Sequence, residues 1–442
     1  MKYSTYNSIV KLTRQSSLLY NAVTDKFLVF KKELEPMLVG EADELAMSHP
    51  SFYKQLLDNG FLVEDREQEV KDTVEIGRKN CENESTYKLI INPTLNCNFR
   101  CWYCYEDHNA PTKMDAGTLE KIKRLVDNIA ADSKIKHIDL SFFGGEPLLF
   151  YADTVRPIID YVKSVCDSCN DELGFSVHFT SNGYLINDVV LAHLRSADAS
   201  SVSFQITLDG GRDLHNKVRY STSGTGSYDR IIANVKRLLS NDIDVVLRIN
   251  YTKQNIASVP SILGDLESIS EDDRNHLSVD FQRVWQDEAI DNNDEQLNDI
   301  IMQFRKEAFR VSCYYNHVNS FRYPCYGDKN NECVVNYNGD VYKCTARDFT
   351  EANRYGVLSN EGTVIADNSK SNTCVSKYDK AFCHTCRIFP VCGACCTQRV
   401  RESKADACTN NNSELDKDEI ILMRFYDCIK KRTAEDSVVK VE

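Results

Sequence analysis

The chain has 442 residues, a length that predicts about three domains. Hydrophobic residues make up 42% and charged residues 27%, a balance that is typical of globular proteins and excludes a disordered chain. The 53 basic residues against 66 acidic ones give a net charge of −13, which disfavours nucleic acid as a partner.

No run of about 18 apolar residues occurs, so we expect no membrane partner. The first residues lack the continuous apolar stretch of a signal peptide, which predicts a cytoplasmic protein. The chain also contains 18 cysteines. In the reducing cytoplasm, cysteines serve metal binding or catalysis more often than disulfides.

Residues 1–80 are predicted to form a small separate α+β module. Residues 18–30 predict two short strands around a turn. Residues 52–57 place apolar side chains on one helical face, and Asn59-Gly60 is a signal for the end of that helix. The acidic stretch 64–69 then indicates a linker.

Apolar runs of strand length alternate with helical patterns from residue 87 to about 311. The helical patterns include apolar stripes at 119–129 and 231–239. Six strand–helix repeats with short connections predict a parallel sheet, either an open doubly wound sheet or a partial barrel. The six runs are residues 87–92, 136–143, 174–180, 201–208, 243–251 and 276–284.

Beyond residue 312 the periodicity weakens, and twelve of the 18 cysteines lie at or after Cys313. Metal clusters can replace part of the hydrophobic core in such a segment. We therefore predict four parts of the chain. They are the module at 1–80, an α/β core at 81–311, a cysteine-rich metal domain at 312–430 and a tail at 431–442.

Cys97, Cys101 and Cys104 form a C-x3-C-x2-C group directly after the first predicted strand. Thiolates are soft ligands suited to iron–sulfur clusters or zinc. Three of them leave one metal position free, as in catalytic rather than closed structural sites. The alternative is an incomplete zinc site, but a position at the carboxyl end of a barrel-like strand favours catalysis.

This triplet resembles the cluster motif of the radical S-adenosylmethionine (SAM) enzymes. The resemblance implies a partial (β/α)6 barrel in which the three cysteines hold a [4Fe–4S] cluster. It also implies that the amino and carboxylate groups of SAM chelate the open iron. Tyr103 occupies the family's aromatic position before the last cysteine, which lies near the adenine of SAM.

Turns after later strands resemble the family's SAM contacts. Gly144-Gly145-Glu146-Pro147 resembles the GGEP motif, which binds the amino group of SAM. Thr180-Ser181-Asn182-Gly183 resembles the TxNG turn, and Thr207 and Arg219 stand where maturases of the family carry a Ser and an Arg near SAM. Arg248, on the fifth strand, would face either the cavity or the surface. The residues that we expect to contact SAM are Tyr103, Gly144, Gly145, Glu146, Asn182, Thr207, Arg219 and Phe281.

The cysteines near the C-terminus resemble the SPASM extension of radical SAM maturases, which carries two auxiliary [4Fe–4S] clusters. The pattern C-x2-C-x5-C-x3-C starts at Cys383, and Gly339-x4-Cys344 precedes it. Asn338-Gly339 also predicts a tight hairpin. The alternative is a pair of structural zinc sites. The ligands that the resemblance assigns to one cluster are Cys325, Cys333, Cys344 and Cys396. Those of the other are Cys383, Cys386, Cys392 and Cys408, with Cys428 as the alternative to Cys408.

The resemblance therefore implies three [4Fe–4S] clusters and SAM as cofactors, and a radical SAM peptide maturase as the function. Such an enzyme cleaves SAM reductively to a 5′-deoxyadenosyl radical and forms a thioether, a carbon–carbon cross-link or a related oxidation product. Residues 1–80 resemble the winged-helix-like modules that capture the leader of a precursor peptide, with a structural cap as the alternative. An electron donor such as ferredoxin or flavodoxin is a further implied partner.

Two other functions compete with this one. An anaerobic sulfatase maturase oxidises a Cys or Ser to formylglycine, but Thr345 stands where that subfamily carries an Asp as base. That subfamily also usually lacks an N-terminal module. A non-catalytic iron–sulfur protein for recognition or electron transfer would keep the cysteines without needing the SAM-binding turns. We assign no catalytic base.

Overall fold

A computed structural model describes ten stretches of the chain. These are residues 1–38, 42–82, 85–106, 111–169, 172–221, 224–287, 294–313, 324–367, 377–394 and 396–432. They belong to two compact units. The first unit comprises residues 1–83, 316–330 and 372–442, and the second comprises residues 84–315 and 331–371.

The N-terminal part of the first unit combines short strands with three helices. The strands are β1 (Lys2–Tyr3), β2 (Asn7–Lys11), β3 (Ser16–Asn21), β4 (Lys26–Lys31) and β5 (Leu62–Val63). The helices are α1 (Ala42–Ser48), α2 (Pro50–Asp58) and α3 (Arg66–Glu82). An antiparallel sheet has the order β2-β3-β4, and β1 pairs with β5. The two strands and the helix predicted here are confirmed, while the winged-helix-like arrangement stays a prediction.

The prediction of a linker at residues 64–69 was wrong. Helix α3 begins at Arg66, and the carboxylate of Asp65 accepts hydrogen bonds from the backbone N–H groups of Glu67 at 2.7 Å and Gln68 at 3.1 Å. Acidic side chains at the start of a helix satisfy free N–H groups and interact favourably with the helix dipole. The run of negative charge therefore begins a helix instead of separating two elements.

Seven parallel strands form the centre of the second unit. They are β6 (Thr86–Ile91), β7 (His137–Phe142), β8 (Gly174–Ser181), β9 (Val202–Leu208), β10 (Asp244–Tyr251), β11 (Leu277–Arg283) and β12 (Arg310–Cys313). Each lies beside the strand that precedes it in the chain, with no reversal of order. A doubly wound sheet requires such a reversal, so this is the partial barrel. All six predicted strands are confirmed, and β12 is a seventh that was not predicted.

Four shorter strands extend the same sheet beyond β6. They are β13 (Glu332–Val335), β14 (Asp340–Tyr342), β15 (Gly356–Leu358) and β16 (Val364–Ala366). Strand β13 pairs with β6 in parallel, and the others follow as an antiparallel meander. Asn338-Gly339 forms the turn between β13 and β14, with a φ of 83° at Gly339, which confirms the predicted hairpin.

Helices connect the parallel strands and cover one face of the sheet. Those of the second unit are α4 (Ala116–Ala131), α5 (Arg156–Ser168), α6 (Asp188–Ser196), α7 (Arg212–Val218), α8 (Tyr228–Leu239), α9 (Ile262–Leu266), α10 (Glu271–Arg274) and α11 (Asp294–Lys306). The two predicted apolar stripes are the buried faces of α4 and α8. No helix in the described stretches is long and apolar enough to cross a membrane.

The two faces of each parallel strand differ in chemistry. On β10, Val245, Leu247 and Ile249 are buried in the apolar core beneath the helices. Arg248 and Asn250 alternate with them and line a cavity on the opposite face. Because side chains alternate across a strand, the interior of this barrel presents polar groups at the carboxyl ends of its strands.

The C-terminal part of the first unit consists of short helices. They are α12 (Ala381–His384), α13 (Phe389–Cys392), α14 (Thr397–Glu402) and α15 (Glu414–Arg432). Tyr378 and Ile421 from this part share one apolar core with Tyr6, Leu18 and Tyr20 of the N-terminal part. The two ends of the chain therefore fold together, and the predicted domain boundaries at residues 80, 311 and 430 stay predictions.

Candidate active site

The loop between β6 and α4 carries the cysteine triplet. Two buried threonines fix its base, because the Thr94 hydroxyl donates to the Thr112 carbonyl at 2.6 Å and Thr112 Oγ1 accepts from the N–H of Leu95 at 2.8 Å. Phe99, in the middle of the loop, is buried and contacts Tyr184 edge on, with ring centroids 5.6 Å apart. The loop is therefore held at two points.

A cavity of about 210 Å³ lies at the carboxyl ends of the parallel strands, and Cys97, Cys101 and Cys104 all line it. Burial raises the pKa of Cys97 to about 12, so this group stays a thiol at neutral pH unless a metal binds it. Among the described residues, no three His, Cys, Asp or Glu side chains are already grouped as an ion site. The donor chemistry, three soft thiols on one cavity wall, fits an iron–sulfur cluster.

Two glycines bring the end of β7 against the cysteine loop. Gly144 has a φ of 100°, and a Cβ atom there would overlap the carbonyl oxygen of Thr94. A Cβ atom on Gly145 would overlap the carbonyl oxygen of Asn96 in the same way. The N–H of Gly145 donates to the Thr94 carbonyl at 3.2 Å. Both glycines line the cavity, so the backbone here lies open to a bound molecule.

Glu146, predicted to contact SAM, lies behind the cavity wall. Its fully buried carboxylate accepts hydrogen bonds from the N–H of Leu148 at 3.1 Å, the Ser181 hydroxyl at 2.9 Å and the N–H of Asn182 at 2.8 Å. Burial raises its pKa to about 7, although these hydrogen bonds favour the ionised form. Asn182 itself lines the cavity and donates to Asn98 Oδ1 at 2.7 Å. Glu146 therefore supports the turn that holds Asn182.

Tyr103 and Arg219, both predicted SAM contacts, belong to one buried network. The Tyr103 hydroxyl donates to Asp209 at 2.8 Å and accepts from Arg219 at 2.7 Å and Asn250 at 3.1 Å. Arg219 also donates to the Asp209 carboxylate. Burial raises the pKa of Tyr103, so the phenol stays protonated. The wall of the cavity thus contains a neutralised ion pair joined by a hydroxyl group.

Phe281 does not lie on the cavity, and its predicted contact with SAM is wrong for this arrangement. Its side chain is 1% exposed in the core beneath the helices and contacts Phe304 edge on, with ring centroids 5.4 Å apart. Alternation along β11 explains the difference. Leu277, Val279 and Phe281 share the apolar, helix-facing side of that strand. Thr207, in contrast, lines the cavity, and its contact with SAM stays a prediction.

Several cavity residues were not among the predicted SAM contacts, and three of them carry a charged or amide side chain that bears on the chemistry of the site. Glu106 follows the last cysteine of the loop, burial raises its pKa to about 8, and its buried Oε2 atom accepts no hydrogen bond from the described residues. Gln205 and Arg248 lie on β9 and β10 and also line the cavity. For Gln205 and Arg248, the alternation of polar and apolar residues along the two strands could have indicated that both side chains face the cavity.

Comparison with known families assigns the part of the chain that carries most of this cavity. Residues 91–266 match the model of the radical SAM superfamily. The chain contains a radical SAM domain. The matched residues include the cysteine loop, the glycine turn and the Asp209–Arg219 pair. A radical SAM domain implies a [4Fe–4S] cluster and SAM as cofactors.

The relatives of this chain include a cysteine-type anaerobic sulfatase-maturating enzyme of Clostridium novyi (strain NT). It is 24% identical over 366 residues, which cover 73% of this chain and 91% of that enzyme. The uncharacterized protein sll1766 of Synechocystis (strain ATCC 27184 / PCC 6803 / Kazusa) is 30% identical over 160 residues. That match spans 36% of this chain and 39% of the Synechocystis protein.

Solved structures share the fold at low identity. Native anSMEcpe with bound AdoMet and Cp18Cys peptide gives a TM-score of 0.57 at 18% identity, covering 79% of this chain and 100% of that one. Streptococcus suis SuiB bound to S-adenosylmethionine gives a TM-score of 0.50 at 15% identity, covering 92% of this chain and 98% of that one. The radical SAM domain therefore lies in a chain that shares the fold of these two proteins.

Cys333 and Cys344, two predicted ligands of an auxiliary cluster, lie in the same unit as the radical SAM domain. Cys333 on β13 is buried, which raises its pKa to about 12, and its sulfur accepts a hydrogen bond from the Tyr87 hydroxyl at 3.5 Å. Cys344 follows β14, and its sulfur accepts from the N–H of Ala346 at 3.2 Å. The other two cysteines assigned to this cluster belong to the first unit.

Those two cysteines are Cys325 and Cys396. Asp328, three residues after Cys325, accepts hydrogen bonds from Lys377 Nζ at 2.6 Å and from the Thr397 hydroxyl. The Lys377 and Asp328 side chains are 1% and 2% exposed. Thr397 directly follows Cys396, so its hydrogen bond to Asp328 joins the two segments that carry the cysteines.

The first unit also brings together predicted ligands of the second auxiliary cluster. Burial raises the pKa of Cys383 to about 11, and the nearby Cys386 and Cys408 raise it further. The sulfur of Cys392 accepts a hydrogen bond from Asn410 Nδ2 at 3.7 Å, two residues beyond Cys408. Four cysteines of the predicted set are thus carried by neighbouring segments of one unit.

Proposed function

We propose that the protein is a peptide maturase that uses radical SAM chemistry to form a thioether, a carbon–carbon cross-link or a related oxidation product. One observation carries the proposal. A single cavity at the carboxyl ends of barrel strands is lined by Cys97, Cys101 and Cys104 together with Gly144 and Gly145. Three thiols and an open backbone cradle are the groups that a cluster and its bound SAM require.

In this proposal the three cysteines of the loop hold a [4Fe–4S] cluster. When bound, the cluster and SAM supply hydrogen abstraction by a 5′-deoxyadenosyl radical. The residues of this chain that would contact SAM are Tyr103, Gly144, Gly145, Asn182, Thr207 and Arg219. Glu146 would act through Asn182, whose backbone N–H its carboxylate accepts at 2.8 Å.

The contribution of the protein is to orient the reactants and to exclude water, because a primary carbon radical reacts with any nearby hydrogen donor. The network around Tyr103 serves this purpose. Its hydroxyl is engaged by Asp209, Arg219 and Asn250, and a raised pKa keeps the proton on the phenol. These side chains hold one another in place, so they form a rigid wall beside the reacting groups.

Two auxiliary [4Fe–4S] clusters complete the proposed cofactor set. Support comes from the neighbouring segments that carry Cys383, Cys386, Cys392 and Cys408 in the first unit. Either cluster would accept the electron that is released when the product forms. An electron donor such as ferredoxin or flavodoxin would reduce the cluster of the radical SAM domain.

The proposed substrate is a ribosomally made precursor peptide. Two observations support a peptide: the fold is shared with anSMEcpe, whose structure contains a Cp18Cys peptide, and the first unit offers β2 and β4 as edge strands of a three-stranded sheet. An extended leader segment could add to such an edge. A precursor that lacks its leader should then bind about tenfold more weakly than the full precursor, and equal affinities would contradict leader capture.

An anaerobic sulfatase maturase is the second candidate. The similarity to the Clostridium novyi enzyme over 91% of its length favours it. Thr345, which stands at the position of the expected Asp, argues against it. The carbonyl of Thr345 accepts a hydrogen bond from the Tyr105 hydroxyl. A non-catalytic iron–sulfur protein is the third candidate, and the glycine turn on the cavity argues against that function.

One experiment separates the candidates. The anaerobically reconstituted enzyme is incubated with SAM, dithionite and either a precursor peptide encoded beside its gene or a sulfatase-derived peptide, and the products are analysed by mass spectrometry. A cross-linked precursor peptide with an unchanged sulfatase peptide supports the proposal. Formylglycine in the sulfatase peptide supports the second candidate, and 5′-deoxyadenosine formed with neither peptide changed contradicts both substrate assignments.

A further inference from the structure

Three arginines line the cavity, and they differ in how their charge is used. Arg219 donates to the Asp209 carboxylate, and Arg283 donates to a backbone carbonyl at 3.0 Å. Arg248 donates from Nε to Asn250 Oδ1 at 2.9 Å. Its two terminal nitrogens make no hydrogen bond or ion pair with any residue in the described stretches of the chain.

A carboxylate lies on the neighbouring strand, but its oxygens accept hydrogen bonds from residues other than Arg248. Asp280 of β11 is the register partner of Arg248 on β10. Its oxygens accept hydrogen bonds from the Ser312 hydroxyl at 2.8 Å and from Gln282 Nε2 at 2.7 Å. The guanidinium of Arg248 therefore lacks an ion-pair partner within the described residues, although most of its surface is removed from water.

The side chains beside Arg248 are polar but uncharged. Thr207 is its register partner on β9, and Gln205 precedes it by two positions on the same face of that strand. Both line the cavity, and neither side chain has a hydrogen bond within the described part of the chain. Neither residue supplies a negative charge, and a buried cation without a counter-charge is unfavourable until an anionic acceptor binds. Burial lowers the pKa of Arg248, but a guanidinium remains charged at neutral pH.

We infer that Arg248 binds a carboxylate of the peptide substrate, next to the residue that is modified. This inference rests on the proposed function. The edge formed by the two terminal nitrogens of Arg248 matches the two oxygens of a carboxylate, and Nε is already fixed by Asn250. Arg248 is thus a specificity residue, and the substrate class is a peptide with an Asp or Glu side chain or a free C-terminus at this site.

The carboxylate of SAM is a poorer match for Arg248. In the family that the cysteine loop resembles, that carboxylate chelates the cluster iron. The charge of Arg219 acts on Cys101 and Cys104, which places Arg219 beside the cluster position. The groups that act on Arg248 are Asp280, Tyr103, Arg219 and Tyr105, none of them a cysteine. Arg219, and not Arg248, is therefore the arginine whose charge acts on the cysteines of the loop.

The test uses the reconstituted holoenzyme, saturated with SAM and kept anaerobic, in isothermal titration calorimetry. Three probes are compared: Ac-Gly-Asp-Gly-NH2, Ac-Gly-Asn-Gly-NH2 and Ac-Gly-Asn-Gly with a free C-terminus. A charge-assisted hydrogen-bond pair predicts at least about tenfold tighter binding of a carboxylate-bearing probe than of the neutral one. Preference for the first or the third probe identifies a side-chain or a terminal carboxylate, and equal affinity for all three overturns the inference.

Substitutions test whether Arg248 is the residue that causes this preference for a carboxylate. Arg248→Gln should reduce the preference for a carboxylate probe to below about twofold. Arg248→Lys should retain part of that preference, because lysine keeps the positive charge but lacks the paired N–H donors of a guanidinium. Arg195→Gln, at an exposed position on α6, is the charge-matched control and should keep the full preference. A preference that survives Arg248→Gln overturns the inference. So does a tenfold loss of SAM affinity in that variant, which would assign the carboxylate to SAM.

These outcomes are separate from those of the proposed function. The binding measurement needs no reduction of the cluster, so the preference for a carboxylate can be present in a protein that never cleaves SAM. A wild-type holoenzyme that releases no 5′-deoxyadenosine would contradict the proposed function alone. Active enzyme without any carboxylate preference would contradict the role of Arg248 alone.

Discussion

Arg219 donates to the Asp209 carboxylate inside the cavity wall, where the two side chains are 10% and 1% exposed. The Tyr103 hydroxyl closes the arrangement with bonds to both partners, of 2.7 Å to Arg219 and 2.8 Å to Asp209. Because each charge has a partner, this arginine can lie beside the cysteine loop without an external anion. Removal of one partner leaves the other charge buried and alone.

The first prediction concerns this ion pair. Asp209→Asn should destabilise the protein by about 3 kcal/mol, because it leaves the Arg219 guanidinium uncompensated in a buried position. Asp188→Asn is the matched control, because Asp188 pairs with Arg237 but its side chain is 97% exposed. The control should cost less than about 1 kcal/mol. Urea unfolding of the reconstituted variants checks this, and equal shifts of the two midpoints would refute the structural role of Asp209.

The second prediction concerns the glycine turn. Gly144→Ala should destabilise the protein by more than about 1 kcal/mol and lower the iron content, because the new Cβ atom meets the Thr94 carbonyl in a left-handed conformation. Gly264→Ala is the control, because it lies in α9 with open space around the new atom. That change should be neutral or stabilising by up to about 1 kcal/mol. Iron retention equal to wild type in Gly144→Ala would contradict the close backbone contact.

The third prediction is a pH dependence that arises from Glu146. Burial raises its pKa to about 7 from the ordinary 4.5, so near pH 6 the folded protein holds a proton that the unfolded chain has released. The retained proton stabilises the folded protein. This contribution to the free energy of unfolding is fully present below the pKa that Glu146 has in the unfolded chain, and it is lost as the pH rises through the folded-state pKa of about 7. Between pH 6 and pH 8 this component should decrease by about 1.4 kcal/mol.

Glu146→Gln removes that titration. Urea midpoints of the reconstituted wild type and variant at pH 6 and pH 8 measure the difference. The wild type should lose stability over this range relative to the variant. If both proteins respond to pH in parallel, Glu146 does not carry a raised pKa.

The fourth prediction concerns the last ligand of an auxiliary cluster. The charge of Cys408 acts on Cys383, whose pKa it helps to raise, which favours Cys408 over Cys428 as the ligand. Cys408→Ser should lower the iron content by up to about four atoms per chain, the content of one cluster, while Cys428→Ser should keep it. Iron and sulfide analysis after anaerobic reconstitution distinguishes the two. Loss of iron in Cys428→Ser alone would reverse the assignment.

The amino-acid sequence predicted the strands of the barrel well because long alternating patterns recur there. It also placed Cys97 and Gly144 directly after two predicted strands, and the carboxyl ends of parallel strands share one edge of the sheet. For Phe281, the sequence-based prediction was the cavity side of the strand, whereas the side chain lies on the helix-facing side. The apolar period of Leu277, Val279 and Phe281 indicates the helix-facing side, because the interior of this barrel is polar.

Other differences arose where a local pattern has two physical meanings. The negative charges before Arg66 read as a linker, yet the same charges stabilise the start of a helix. Glu146 was predicted to contact SAM, which stays a prediction, but a carboxylate can equally accept from buried backbone N–H groups, and here it accepts from those of Leu148 and Asn182. Only the tertiary structure decides between such alternatives, because they differ in what lies next to the side chain.

The release of 5′-deoxyadenosine is the direct measure of radical SAM chemistry at this cavity. Reconstituted wild-type protein and a Cys97→Ala, Cys101→Ala, Cys104→Ala triple variant are given SAM and dithionite without oxygen, with Cys169→Ala as the control. The wild type and the control should release 5′-deoxyadenosine, and the triple variant should release none while binding about four fewer iron atoms. Zinc in place of iron with no cleavage of SAM, or equal cleavage by the triple variant, would contradict radical SAM chemistry at this cavity.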